Sequence, residues 1–421
     1  MMREVSGATR RAVSLAVLVA ALGYFVDIYD LILFGAVRGP SLQALGFSPA
    51  DVQDKGILLL QLQMGGMLVG GILWGIIGDR RGRLSVLFGS IILYSIANLV
   101  NGTVDTLTGY AICRVIAGIG LAGELGAGIT LVSELMDKER RGLGTTIVAA
   151  TGILGGVVAG IVGGAVPGIP AVDWRTAYYI GGGMGLGLLA LRIGVAESGM
   201  FKTAAENTQV SRGNFFKLFS DCKRLVRYAA VIGVGVPIWY GIGMLVMLGK
   251  EIGGPAGLGL PSEPRPATGL FYCYAAGSIG GFIAGLLSHR LRSRRRAIAI
   301  FMTGSAAVTV FYFLFGGSSF TAFYAACAGI GLSTGYWAVF VSAAAEQFGT
   351  NLRATVATTT PNFVRGSLAL LTGVYGLFQR YAGLSIVGAA IAVGVLAFGV
   401  GFAGLAKMRE TFAVDLDYVE E

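Results

Sequence analysis

The chain has 421 residues, of which 54% are hydrophobic and only 13% are charged, and its mean hydropathy is +0.73. Soluble proteins carry about 25% charged residues, so this composition excludes a water-soluble enzyme, a disordered chain and a collagen-like fibre. The net charge of +9 would suit a nucleic-acid-binding protein, but the positions of the basic residues argue against that function. We therefore interpret the chain as an all-α polytopic membrane protein.

Twelve apolar segments are long enough to cross a bilayer, because about 20 helical residues span its ~30 Å hydrocarbon core. The predicted spans cover residues 12–37, 56–77, 84–101, 108–132, 143–166, 175–195, 226–248, 267–288, 297–316, 319–341, 354–378 and 383–406. The first apolar run is too long for a signal peptide.

The longest polar interruption lies in the middle of the chain. It predicts an N-terminal six-helix bundle at 1–195, a cytoplasmic central loop at 196–225, and a C-terminal six-helix bundle with a cytoplasmic tail at 226–421.

The Lys and Arg residues predict the orientation in the membrane. With the N-terminus inside, 23 of the 32 basic residues fall in cytoplasmic segments and 6 fall in outer segments. Because cytoplasmic loops are enriched in Lys and Arg, we expect a cell-membrane protein with both termini in the cytoplasm. This distribution also accounts for the positive charge without a nucleic-acid partner.

The two halves of the chain carry matching sequences. The segment AGIGL at 117–121 recurs at 328–332, an offset of 211 residues. Glu134 and Arg141, seven residues apart after span four, are matched by Glu346 and Arg353 after span ten. The offset indicates duplication of a six-helix unit, and alternating-access carriers are built from such repeats around a central site.

Three motifs resemble those of a known family. The segment GIIGDRRGR at 75–83, with a looser copy at 285–290, is similar to the loop signature of the major facilitator superfamily. The segments DIYDL at 27–31 and RVIAGIGLAGELG at 114–126 resemble motifs of the metabolite/proton and aromatic-acid/proton symporters. The resemblance covers nearly the whole chain and implies twelve helices in two bundles related by a pseudo-two-fold repeat. His289 departs from the pattern, since an Asp is usual there.

The loop signature implies a gate at the cytoplasmic face. Asp79 lies at the N-terminus of span three, where an anion is favoured. We expect Asp79, Arg80 and Arg83 to form the gate and Glu134 and Arg141 to close the same network. The alternative is that these arginines only set the topology.

Four charged residues inside the predicted spans are candidates for proton coupling. At ~1.5 Å per residue, Asp30 and Arg114 lie level, with Asp27 one turn deeper. An arginine within ~4–6 Å keeps a carboxylate ionised, so movement of Arg114 would control proton uptake by Asp27 or Asp30, and we favour Asp27. The resemblance implies the same roles. The alternative is a static ion pair between spans one and four.

Glu124 lies near the middle of span four. We interpret it as a second protonatable group or a polar substrate contact. The alternative is a neutral glutamic acid that is hydrogen-bonded between glycine-rich helices.

Arg365 is the candidate substrate-binding cation, with Asn362 one turn before it. A planar guanidinium is suited to a carboxylate, so two internal arginines favour a small organic anion as substrate. Arg365 could instead pair with Glu124 or another internal acid, extend to the membrane–water interface, or lie outside the hydrocarbon if the span boundary is misplaced. Further candidates for the cavity wall, which could also serve only in packing, are Tyr24, Gln61, Tyr240 and Tyr336.

The sequence therefore predicts a secondary active transporter that couples a small carboxylate to protons by alternating access. We expect a monomer without metal or cofactor, and no enzyme, since His289 is the single histidine. The alternatives are a symporter of a neutral solute such as a sugar, an antiporter, or a non-transporting membrane sensor.

Overall fold

The fold is given by a computed structural model, which describes residues 7–135, 141–197 and 215–412. Among these residues, the N half contains seven helices: α1 Gly7–Ala44, α2 Pro49–Arg81, α3 Arg83–Asn101, α4 Leu107–Leu121, α5 Glu124–Leu135, α6 Arg141–Val162 and α7 Trp174–Glu197. The C half begins with a 3₁₀ turn at Phe215–Phe219. Its helices are α8 Cys222–Trp239, a π-helical turn Tyr240–Val246, α9 Gly249–Gly253, α10 Pro266–Leu291, α11 Arg294–Phe315, α12 Phe320–Thr334, α13 Trp337–Glu346, α14 Thr350–Tyr381 and α15 Ile386–Lys407.

These helices supply the twelve membrane spans that the sequence predicts. The described residues contain ten segments that are long and apolar enough to cross a membrane. The remaining two spans are α7 and α14, which have 24 and 32 residues and are also long enough. α14 is less apolar because it carries Thr359, Thr360 and Arg365, and all three side chains are buried inside the protein.

The outer surface of the bundle is apolar. Leu286, Leu314, Leu370 and Val395 are each more than 65% exposed. Such side chains suit a lipid environment, whereas most of the deeply placed charges lie inside the bundle.

Spans four and ten are each broken at corresponding positions of the repeat. In span four, α4 ends at Leu121 and α5 begins at Glu124. In span ten, α12 ends at Thr334 and α13 begins at Trp337. Gly335 lies at the second break, where a Cβ would overlap the Gly280 backbone of α10. The sequence predicted continuous spans here, since nothing in an apolar run marks where a crossing helix forces a break.

The N half and the C half contact each other near both ends of the bundle. We name these ends the Arg38 face and the Arg80 face after a residue at each. Near the Arg38 face, Arg38 of α1 forms a 2.5 Å ion pair with Glu251 of α9. Near the Arg80 face, the hydroxyls of Thr145 and Ser342 lie 3.2 Å apart.

Candidate functional site

A small central cavity of about 30 Å³ lies between the two halves. Tyr24 and Ile153 line it from the N half, and Trp239 and Tyr274 line it from the C half. Arg365 of α14 is the one charged residue among the described residues of its wall. The volume is room for one or two water molecules, far below the ~300–1,000 Å³ of typical ligand pockets, so the halves are closed around the site.

The Arg365 guanidinium pairs with Asp27 across the interface between the halves. Its Nη2 donates to Asp27 Oδ2 at 3.1 Å and to the Tyr24 hydroxyl at 3.4 Å. Trp337 Nε1 donates to the same hydroxyl at 2.8 Å, and the Tyr24 and Trp337 rings each lie 5.8 Å from the guanidinium carbon. Asp27 and Arg365 are almost completely buried, so each is the counter-ion that offsets the desolvation cost of the other.

The pair does not use all of its hydrogen-bonding capacity. Arg365 Nε and Nη1 and Asp27 Oδ1 are buried without a hydrogen-bond partner among the described residues. A guanidinium has five N–H donors in a planar fork. Arg365 can therefore bind a second acceptor, and the cavity that it lines is the space in which such an acceptor would lie.

Asp30 and Arg114 form a separate polar group inside the N half. Arg114 Nη2 donates to Asn98 Oδ1 at 2.9 Å, and its guanidinium carbon lies 4.6 Å from the Tyr178 ring centroid. Asp30 is within electrostatic range of Arg114 and lies near the Asn98 side chain, but its carboxylate oxygens make no hydrogen bond of normal geometry in the described part of the chain.

The predicted control of Asp27 by Arg114 therefore needs correction. Three residues turn a helix by about 300°, so Asp27 and Asp30 point about 60° apart around α1. Asp27 faces the C half and Arg365, whereas Asp30 faces the interior of the N half and Arg114.

Glu124 forms an ion pair with Arg192 of α7. Arg192 Nη1 and Nη2 donate to the two carboxylate oxygens at 2.9 and 2.8 Å, and Ser90 donates to the carboxylate at 3.0 Å. Both charged side chains are at most 4% exposed. Sequence reasoning missed Arg192 as a partner, although a basic residue inside a predicted span requires one.

Asn362 and Gln61 link the two halves and lie outside the cavity wall. Asn362 Nδ2 donates at 2.7 Å to the Ala122 carbonyl oxygen, at the break in span four. Gln61 Nε2 donates to the Thr372 hydroxyl at 3.0 Å. Both therefore hold α14 against the N half and do not line the closed cavity.

Tyr240 and Tyr336 also lie outside the cavity wall. Their hydroxyls donate to the carbonyl oxygens of Ala390 at 2.8 Å and Val234 at 3.0 Å. The adjacent residues Trp239 and Trp337 line the cavity instead. The sequence predicted Tyr240 and Tyr336, but the rotation of each helix decides which of two adjacent aromatic rings points into the cavity, and that rotation places the tryptophans there.

The predicted cytoplasmic gate falls largely outside the described part of the structure. Arg80 is exposed, and the side chains of Asp79, Arg83, Glu134 and Arg141 are not among those described. The gate stays a prediction.

The Arg38–Glu251 pair was not predicted. The predicted first span ends at residue 37, just before Arg38, whereas α1 continues to Ala44 and buries this arginine. The side chains of Arg38 and Glu251 are 4% and 8% exposed, and they join the N half to the C half.

The helical bundle, with a buried cation at a small cavity between two repeated halves, defines a membrane transporter and not an enzyme. The sequence profile of the Major Facilitator Superfamily matches residues 20–364, and the chain belongs to that family. The predicted twelve-helix fold is thereby confirmed.

Two relatives and one solved structure illustrate the similarity. A Bacillus subtilis protein named as a niacin/nicotinamide transporter, NiaP, is 23% identical over 90% of this chain and 92% of its own. A Cupriavidus pinatubonensis protein named as a 4-methylmuconolactone transporter is 26% identical over 79% of this chain and 76% of its own. The proton:xylose symporter XylE, solved with 6-bromo-6-deoxy-D-glucose, superposes with a TM-score of 0.71 at 15% identity, covering 97% of this chain and 98% of that chain.

Proposed function

We propose that this protein takes up a small, ring-bearing organic carboxylate together with a proton. The observation that carries the proposal is the buried Asp27–Arg365 pair, whose two members belong to opposite halves of the protein. Arg365 lines the central cavity and retains unused donors, so it is suited to bind a substrate carboxylate.

Competition for Arg365 provides the coupling. A carboxylate that binds to the unused donors of Arg365 leaves one guanidinium to neutralise two carboxylates, so Asp27 no longer has a counter-ion of its own. An unpaired carboxylate inside the protein is costly, whereas a protonated one is neutral and needs only a hydrogen bond. Asp27 therefore takes up a proton as the substrate binds and releases it when Arg365 returns. For a monovalent carboxylate this exchange moves one proton and leaves the charge of the site unchanged.

The cavity wall supports a substrate with a ring. Trp239, Tyr274 and Trp337 contribute flat aromatic surfaces, and Arg365 contributes the charge. Niacin and 4-methylmuconolactone, the compounds in the names of the two relatives, are small ring compounds that carry a carboxyl group. The cavity must widen to admit either of them, which fits a carrier whose halves move apart in turn.

The polar group of Asp30 and Arg114 in the N half supplies the path of the proton in this proposal. Asp30 and Arg114 are buried within electrostatic range of each other without an ion pair within bonding distance, and Asp30 lies one turn of α1 from Asp27. We assign them to passage of the proton between Asp27 and the Arg38 face. Glu124 keeps a structural role because Arg192 holds it by two hydrogen bonds.

The proposal includes a location and an orientation. The excess of Lys and Arg in the segments of the Arg80 face supports a cytoplasmic position for that face and for both termini, in the cell membrane. We further propose that the protein acts as a monomer and binds no nucleic acid.

The second candidate is symport of a neutral solute. It is favoured by the name of the Bacillus relative, which includes nicotinamide as well as niacin. The Asp27–Arg365 pair has no net charge, so a neutral ligand could bind beside it without displacing Asp27.

Uptake by proteoliposomes distinguishes the two candidates. Nicotinate and nicotinamide differ chiefly in the carboxylate charge, so we would measure accumulation of each under an imposed pH gradient, with and without a protonophore. The proposal predicts protonophore-sensitive accumulation of nicotinate or of another carboxylate from a panel with benzoate and 3-phenylpropionate, and its loss in Arg365→Gln. Accumulation of nicotinamide alone, or of no carboxylate, would contradict it.

A further inference from the structure

A basic groove lies on the Arg80 face, away from the central cavity. It has a volume of about 670 Å³ and lies between the start of α11 and the end of α15. Arg292, Arg295 and Arg296 line one side, and Phe402 and Leu405 line the other. We propose that this groove binds the phosphate of an anionic phospholipid, with an acyl chain against the apolar wall.

The arginines of the groove are available to an external anion. Arg292 and Arg296 are exposed and have no carboxylate partner among the described residues. Arg295 Nη2 donates to the Ala406 carbonyl oxygen at 3.3 Å, which leaves further donors of that guanidinium. The neighbouring Arg294 differs, because Glu346 binds it at 3.3 Å.

Glu410 is the one carboxylate in the wall of the groove, and its charge is already compensated. Its oxygens accept hydrogen bonds from the Ser293 hydroxyl and from the backbone N–H groups of Arg294 and Arg295, at the start of α11. Burial acts to raise the pKa of Glu410, but the bonds from Ser293 and from nearby N–H groups outweigh it and hold the pKa below its usual value. Glu410 thus fixes the segment that follows α15 to the start of α11 and leaves the arginines in excess.

The position of the groove identifies a lipid as its occupant. The apolar wall continues into residues that face the hydrocarbon, since Phe402 is 39% exposed and Ile300 is 53% exposed. The arginines lie at the ends of the membrane helices, at the depth of the headgroups. Basic pockets between transmembrane helices at this level bind anionic headgroups, and each basic residue strengthens binding by about fivefold.

The test uses purified full-length protein in detergent. Dioleoyl phosphatidylglycerol or phosphatidylcholine is titrated, and native mass spectrometry measures the fraction of protein that carries one lipid. The double variant Arg292→Gln, Arg296→Gln should bind phosphatidylglycerol roughly 30-fold more weakly, since it lacks two basic residues. The matched control is Arg265→Gln, Arg380→Gln, two exposed arginines of the Arg38 face, and it should bind as the wild type does.

The lysine variant Arg292→Lys, Arg296→Lys separates charge from folding. It keeps both charges, so it should retain most of the phosphatidylglycerol binding that the glutamine variant loses. The proposal would be overturned if the wild type bound the two lipids equally well, or if the glutamine and control variants lost phosphatidylglycerol binding to the same extent. It would also be overturned if soluble glycerol phosphate bound the wild type as well as phosphatidylglycerol does.

Discussion

The substitution Asp27→Asn isolates the competition for Arg365. At 3.1 Å, two unit charges attract each other by about 5 kcal/mol at an effective dielectric constant of ~20. In the wild type, a bound substrate carboxylate restores most of this attraction to Arg365. The binding free energy gained through Asp27→Asn is therefore smaller, closer to that of one charged hydrogen bond, about 1.5–3 kcal/mol. We therefore expect Asp27→Asn to bind carboxylates roughly 10- to 150-fold more tightly than the wild type does.

The same variant should lose coupling. Without Asp27 there is no site that takes up the proton when substrate binds, so a pH gradient should no longer drive accumulation, while exchange of labelled for unlabelled substrate continues. Leaving Arg365 without a counter-ion costs about 3–5 kcal/mol, so the unliganded variant should melt at a lower temperature and gain more from ligand.

Three measurements on each protein test this reasoning. They are the affinity for nicotinate, benzoate and 3-phenylpropionate, accumulation under a pH gradient, and exchange without one. Asp105→Asn is the matched control, because Asp105 is 80% exposed in its surface pair with Arg175. Unchanged affinity together with full accumulation in Asp27→Asn would refute the mechanism, as would the absence of carboxylate binding in both proteins.

Three further predictions concern other contacts. Arg38→Ala leaves Glu251 buried without its partner, so the Arg38 face should open more often. Maleimide should then label Cys273, which lines the central cavity, faster than in the wild type, and exchanging the charges of Arg38 and Glu251 should restore the slow rate. Glu124→Gln should lower the free energy of unfolding by about 3–5 kcal/mol, because Arg192 remains buried without its partner. Glu124→Leu combined with Arg192→Met should recover much of this loss. Thermal unfolding measures both effects, and a double variant whose loss equals the sum of the two single losses would contradict the pairing. The pKa of Glu410 is lowered in the folded protein, so the carboxylate stabilises the fold above its unfolded pKa of about 4.3 and this stabilisation is lost as the pH falls through the folded pKa. Glu410→Gln should therefore lower the melting temperature at pH 7. The melting temperature of this variant should also fall less on acidification than that of the wild type.

The fold could be predicted from the sequence because the membrane restricts the choices. Unpaired backbone groups are excluded from lipid, so each apolar run of sufficient length had to be a helix. The helix breaks at Leu121 and Thr334 could not be predicted, since they arise where another helix crosses. α1 also extends past its predicted end at residue 37, because the buried Arg38 is stabilised by a distant acid.

The candidate site was only partly predictable. The sequence identified Asp27, Arg114 and Arg365 because a charge inside a span requires an explanation. It could not pair them, since pairing depends on which helices face each other across the interface between the halves. The predicted partner of Asp27 was Arg114 of the same half, whereas its observed partner is Arg365 of the other half.

Proton uptake on substrate binding tests the central claim most directly. Nicotinate, or whichever carboxylate of the panel binds, is added to purified protein in weakly buffered solution near neutral pH, and the pH change is recorded against the amount bound. Competition between the substrate and Asp27 for Arg365 predicts about one proton taken up per carboxylate in the wild type and none in Asp27→Asn. Binding without proton uptake in the wild type, or equal uptake by both proteins, would show that Asp27 and the substrate do not exchange on Arg365.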